Sequence, residues 1–121
     1  MPARSKQTVG GRGRENDPTI LILTSLASGP KHGYALLLDI DAFAGVRLGP
    51  GTLYGAIGRL EEQGLIEALG AQGRTRPYRL TAEGSTFLEA TLAELRSLVE
   101  EGTTRLRGQV RRGLSNSPGT A

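Results

Sequence analysis

Apolar residues fall into a series of short periods between positions 18 and 107, and each period predicts an element. Ile20, Leu23, Leu26 and Ala27 share one side of a helix. Asp17 suits its N-cap, Pro18 its first position, and Ser28-Gly29-Pro30 its end. A second helix is predicted over residues 31–43, with Tyr34, Leu37, Leu38 and Asp41 on one face, Ile40 beside them, and Gly45 as the stop. A third is predicted over residues 50–63. There Leu53, Ile57 and Leu60 stand at i, i+4 and i+7, while Thr52, Gly55 and Arg59 face the other way. Gly49 and Pro50 form an acceptable start, and Gly64 ends the helix as a left-handed cap.

Two short extended segments follow. Residues 65–69 alternate in part, residues 70–73 read as a hairpin turn, and residues 74–80 return. Tyr78 and Leu80 share one face of the returning strand and Arg79 takes the other. Pro77 has no N–H, which restricts this strand to an edge or to a non-bonded position. Thr81 then caps a last helix with Glu83 in its first turn. Leu88, Leu92, Leu95, Val99, Gly102 and Leu106 follow a 4-3-4-3-4 spacing, which is a heptad seam. Over residues 82–107 the helix would be roughly 39 Å long at 1.5 Å per residue. That overhangs a small core, and a partner subunit would cover the overhang.

These elements define a mainly α chain with a small β-ribbon: a winged helix-turn-helix with a long C-terminal dimerisation helix. A length of 121 residues fits one domain with one modest core. The expected organisation is a disordered basic arm over 1–16, the DNA-binding domain over 17–81, the dimerisation helix over 82–108 and a disordered tail over 109–121.

Charge refines this picture. The formal charge is +3 and the isoelectric point about 9.8, which suggests an anionic partner. The excess lies at the ends, however. Residues 1–16 and 105–121 are both basic, and the stretch between them holds 7 basic against 11 acidic residues. Bulk charge therefore does not argue for DNA; the positions of the few central arginines must. No apolar run approaches a membrane span, no secretory signal is visible, and the absence of cysteine fits a reducing cytoplasm. With no Cys, one His, no Gly-Lys-Ser/Thr phosphate loop and no clustered carboxylates, neither an enzyme, a metal site nor a cofactor is expected.

Four blocks carry a resemblance. They are Leu26-Ala27-Ser28-Gly29-Pro30-Lys31-His32-Gly33-Tyr34, Gly51-Thr52-Leu53-Tyr54, Arg59-Leu60-Glu61-Glu62-Gln63-Gly64-Leu65-Ile66, and Tyr78-Arg79-Leu80-Thr81-Ala82-Glu83-Gly84. In order and spacing they resemble the PadR-like transcriptional regulators, over about residues 18–107 and in the short form with a single C-terminal helix. The resemblance implies a homodimeric repressor that reads a pseudo-palindromic operator in double-stranded DNA with the third helix and the wing. It implies dimerisation through the first and last helices, which puts Leu23, Leu88, Leu92, Leu95, Val99 and Leu106 in the interface. In some relatives a small-molecule effector binds between the long helices. Here the last helix has no Trp, and past Phe87 its larger apolar residues are only Leu and Val, so an aromatic sandwich is not expected and any effector is unidentified.

The candidate DNA contacts are Lys31, His32, Thr52, Tyr54, Gly55, Arg59, Arg74 and Arg76. Lys31 and His32 open the helix that crosses the DNA backbone in such folds. Thr52 reaches a phosphate or base edge, or simply caps its helix. Tyr54 donates to a phosphate or lies half-buried between the second and third helices. Arg59 meets a phosphate or pairs with Glu62. Arg74 and Arg76 flank the wing tip, and Arg79, deeper, competes for an acid. Arg12-Gly13-Arg14 is either a minor-groove arm or a solvated tail of nonspecific affinity. The chain departs from the family at Gly55, where proline is frequent, and at Gly58, where a basic residue is frequent. These glycines and the acidic centre sustain an alternative: a winged-helix protein-interaction module without specific DNA binding.

Overall fold

A computed structural model describes residues 17–70 and 75–116. The elements are α1 (Pro18–Leu26), α2 (Gly33–Ala44), α3 (Pro50–Glu62), strands β1 (Ile66–Ala68) and β2 (Tyr78–Leu80), and α4 (Ala82–Asn116). The basic arm over 1–16, the hairpin tip with Arg74, and residues 117–121 lie outside the described residues. The chain divides into two compact units, Met1–Leu88 and Glu89–Ala121.

In the first unit α1 is the middle of the core. Asp17 caps it, its Oδ1 accepting from the Thr19 N–H at 3.0 Å and the Thr19 hydroxyl at 2.8 Å. Ile20, Leu21, Ile22, Leu23 and Leu26 are all buried, so the helix is enclosed on every side rather than along one stripe. Ala27, assigned to that stripe, is instead the exposed C-cap. Leu23 is fully buried among its own subunit's side chains, and Leu88 nearly so. Both were expected in a dimer interface; neither has surface left for a partner.

α2 buries a different face from the expected one. Gly33, Leu36 and Ile40 point inward, while Tyr34 and Leu38 are exposed. Leu36, Leu37, Leu38 and Ile40 crowd both sides of the helix, so periodicity alone cannot choose between faces. Gly45 stops it in the left-handed region, at φ 67°. α3 buries the predicted stripe of Leu53, Ile57 and Leu60, with Ala56 added. Its end is a Schellman turn: Gly64, at φ 76°, donates to the Glu61 carbonyl and Leu65 to the Leu60 carbonyl, both at 3.0 Å. A side chain at Gly64 would be strained there.

β1 and β2 pair antiparallel, Ile66 opposite Leu80, Glu67 opposite Arg79 and Ala68 opposite Tyr78. β2 is not a free edge. Lys31, in the α1–α2 turn, exchanges both backbone hydrogen bonds with Tyr78, at 2.9 and 3.1 Å, and so forms a third row of the sheet. Pro77 sits where the ribbon ladder ends and still accepts from the Leu69 N–H at 2.8 Å.

Thr81 joins the ribbon to α4. Its hydroxyl accepts from the Gly84 N–H at 3.0 Å and donates to the Gly64 carbonyl at 2.7 Å. Gly84 lies directly on the Leu65 carbonyl, with no room for a Cβ. α4 runs on to Asn116, not to Arg107, and replaces part of the expected disordered tail. Gly108 falls inside it, since one interior glycine costs only about 1 kcal/mol against alanine. In the second unit Val99, Leu106 and Val110 are each more than three-fifths exposed, and Glu101 and Arg105 pair at 2.7 Å.

If Leu23 belongs to the core, Leu23→Ala costs about 2–5 kcal/mol of stability and leaves the association state of the folded protein unchanged. Urea unfolding and light scattering measure the two effects separately.

Candidate nucleic-acid interface

α3 exposes the face opposite its buried stripe. Gly51, Thr52, Tyr54, Gly55 and Arg59 are all exposed. Gly49, not Thr52, is the N-cap, and no side chain caps the helix. The hydroxyl of Thr52 therefore has no capping role. No ion pair between Arg59 and Glu62 occurs among the described residues. The Arg59 guanidinium instead lies back over Gly55, with Nη1 3.7 Å from where a Cβ on that glycine would stand. This leaves a low, small-residue surface with a single cation on it.

Beside this face is a cavity of about 580 Å³. His32, Gly33 and Tyr34 contribute from the start of α2, Tyr54 from α3, and Thr75, Arg76 and Tyr78 from the ribbon. The three tyrosines and the one histidine of the chain all meet here. Tyr54 crosses Gly33 so closely that its hydroxyl occupies the space a Cβ would need. The tyrosine is half exposed nonetheless, so it both packs between α2 and α3 and keeps a face open. Burial raises the pKa of the Tyr78 phenol. The Glu61 carboxylate adds to this and nearby Arg76 opposes it. Tyr78 thus remains a neutral hydroxyl at ordinary pH.

Of the expected contacts, His32, Tyr54 and Arg76 come together on this cavity, and Thr52, Gly55 and Arg59 stand on the α3 face. Arg74 lies outside the described residues. Lys31 is engaged within its own subunit. Its ammonium turns inward, donating to the Ser25 carbonyl at 2.5 Å and the Ser28 hydroxyl at 2.8 Å, with Asp39 at 3.9 Å. The Ser25 carbonyl at the end of α1 also accepts from the Ser28 hydroxyl at 3.0 Å, and Asp39, held by the buried Ser25 hydroxyl at 2.6 Å, adds charge of the right sign. Together they hold the cation against its own subunit. Arg79 is likewise occupied, pairing at 2.6 Å with Glu67 directly across the ribbon.

The sequence reading did not include Tyr34, Thr75 or Tyr78 in the site. The alternation at Tyr78-Arg79-Leu80 carried part of the signal, because it separates Tyr78 from the arginine that pairs across the ribbon. Among the described residues no group of His, Asp and Glu is placed to hold a metal ion, and no helix is long and apolar enough to cross a membrane.

A sequence profile of the transcriptional regulator PadR-like family matches residues 22–90. A PadR family transcription regulator from hypervirulent Clostridium difficile is similar in structure, with a TM-score of 0.67 and 28% identity, over 74% of this chain and 97% of that one. A PadR family transcriptional regulator from Eggerthella lenta is similar with a TM-score of 0.63 and 32% identity, over 73% of this chain and 80% of that one. An uncharacterized 37.1 kDa protein in transposon Tn4556 of Streptomyces fradiae is 50% identical over 76 residues, or 63% of this chain. The match spans about a fifth of that curated relative, 22% of its length.

The close crossing of Tyr54 over Gly33 makes a testable coupling. Gly33→Ala should cost about 1–3 kcal/mol by overpacking. In a Tyr54→Ala background the same change should cost less, with an interaction term of at least about 0.5 kcal/mol in a double-mutant cycle followed by urea unfolding.

Proposed function

This chain belongs to the PadR-like family of transcriptional regulators, and from that premise we propose that it is a homodimeric repressor that reads a pseudo-palindromic operator in double-stranded DNA. The observation that carries the reading is the open α3 face, with Thr52, Gly55 and Arg59, next to a cavity that brings Arg76 and His32 to its rim. α3 enters the major groove, where its side-chain-poor surface at Gly55 and Gly58 lets the helix backbone lie close to base edges. Thr52 reads or anchors at the start of that helix. Arg59, Arg76 and His32 meet phosphates on either side, and Tyr54 and Tyr78 offer hydroxyls between them. Phosphate contacts position the domain, and the few α3 contacts give it its sequence preference.

Dimerisation through α4 sets two such domains on successive major grooves, about 34–36 Å apart along the duplex. The exposed Leu92, Val99 and Leu106 of α4 supply that contact together with Leu95. Leu23 and Leu88 support it from the core. Repression follows from occupancy of the operator, in the cytoplasm and without a chemical step. A small molecule that favours a different setting of the two domains would release the DNA.

The test is fluorescence anisotropy at several salt concentrations, on the region upstream of the protein's own gene and on a shuffled duplex. The expected result is a preference of about 10³-fold or more for the first. Equal weak binding to both would overturn the proposal in favour of an interaction module. Arg76→Ala and Arg59→Ala should each weaken binding to every duplex and lower the salt slope by about one. Lys31→Ala should leave the slope unchanged and lower the melting temperature, because its ammonium serves the α1–α2 turn.

A further inference from the structure

We propose that the cavity between α2, α3 and the ribbon binds a small nucleotide, its base among the three tyrosines and its phosphate on Arg76 and His32, and that this occupant excludes DNA. The binding stands on the cavity alone; the exclusion rests on the regulator reading above.

The lining holds two kinds of group. Tyr34, Tyr54 and Tyr78 reach the space from three different elements, α2, α3 and β2. They are all the tyrosines of the chain, and its two phenylalanines, Phe43 and Phe87, lie outside the lining. Tyr34 and Tyr54 are 64% and 52% exposed, so much of their ring surface is left open by packing. Every nucleobase has a π face that stacks on such rings, and the phenolic hydroxyls can meet polar atoms at its edge. A volume of about 580 Å³ is in the range of small-molecule sites, roughly 300–1,000 Å³.

The second kind of group suits an anion. No carboxylate lines the cavity. Among the described residues Lys31, Arg47 and Arg79 each face a carboxylate of their own subunit, and Arg76 does not. His32 is the N-cap of α2 and makes no side-chain hydrogen bond to it, so the start of that helix, at Gly33 and Tyr34, adds backbone amides to the same wall. One guanidinium fork satisfies a carboxylate, whereas a phosphate has oxygens for several donors. A guanidinium, an imidazole and a helix start within one lining match the phosphate. Glu61 acts on Tyr78 from outside the lining and opposes an anion there. That leaves the phosphate to Arg76 and His32, and the base to the tyrosines. Arg76, His32 and Tyr54 are also the groups offered to DNA. A bound nucleotide occupies them and puts a like charge where a DNA phosphate would come.

Because every tyrosine lines the cavity, meta-fluorotyrosine placed throughout the full chain reports on this site alone. Tyr34→Phe, Tyr54→Phe and Tyr78→Phe assign the fluorine signals. Adenosine monophosphate should shift all three saturably. Adenosine alone and inorganic phosphate alone should each bind at least about tenfold more weakly. Arg76→Ala should weaken the nucleotide by about tenfold and leave adenosine unchanged. Equal binding of phosphate and nucleotide would mean an anion contact only and overturn the proposal. So would the absence of a saturable shift. At matched ionic strength, saturating nucleotide should weaken binding to the upstream duplex about tenfold or more, and unchanged binding would overturn the exclusion. Nucleotide binding by a chain that prefers no duplex would keep this site and remove the regulator reading, so the two can fail separately.

Discussion

The fold depends on complete burial of a nine-residue helix. Five apolar side chains of α1 are enclosed, and α2, α3 and β2 all take their positions by packing on it. Each fully buried aliphatic contributes about 1.5–3 kcal/mol relative to exposure, and this short segment supplies more of the buried apolar residues than any other element. The outward face of α3 is a by-product of that burial. With Leu53, Ala56, Ile57 and Leu60 fixed against the core, Thr52, Gly55 and Arg59 have only solvent or a ligand to face.

The polar groups of the first unit close the joints that this packing leaves open. Ser25, Asp39, Lys31 and Ser28 tie the end of α1 to α2, and the Lys31 backbone completes the sheet beside Tyr78. One lysine thus serves two elements, through its ammonium and through its peptide groups. Its position at the entry to α2 suggests a DNA contact, but a carbonyl, a hydroxyl and a carboxylate within its own subunit engage its ammonium.

Legibility in the sequence followed uniqueness of pattern. The α3 stripe, the ribbon, Asp17, Gly45, Gly64 and Thr81 were readable because each has one local solution: a single apolar face, a cap, or a left-handed turn. α2 was not, because its apolar residues surround the helix and only tertiary packing selects Leu36 and Ile40 over Leu38. The apolar repeat marks α4 only as far as Leu106, whereas the helix continues through Gly108 to Asn116, since an interior glycine costs little. The site was legible for residues on the exposed face of α3 and for Arg76. It was not for Tyr34 and Tyr78, which reach it through contacts distant in sequence.

The ribbon is pinned at both feet. The Thr81 hydroxyl and amide hold the Gly64 and Leu65 carbonyls, and the Leu65 amide holds the end of α3. Everything between those anchors is a closed loop whose ends are fixed independently of its length. Loop entropy grows only logarithmically, by about 0.6 kcal/mol for each doubling. The finger can therefore gain or lose residues at its tip, and vary its reach and charge, without re-laying the core or moving α3. Such an anchor lets a lineage change its target by insertion as readily as by substitution.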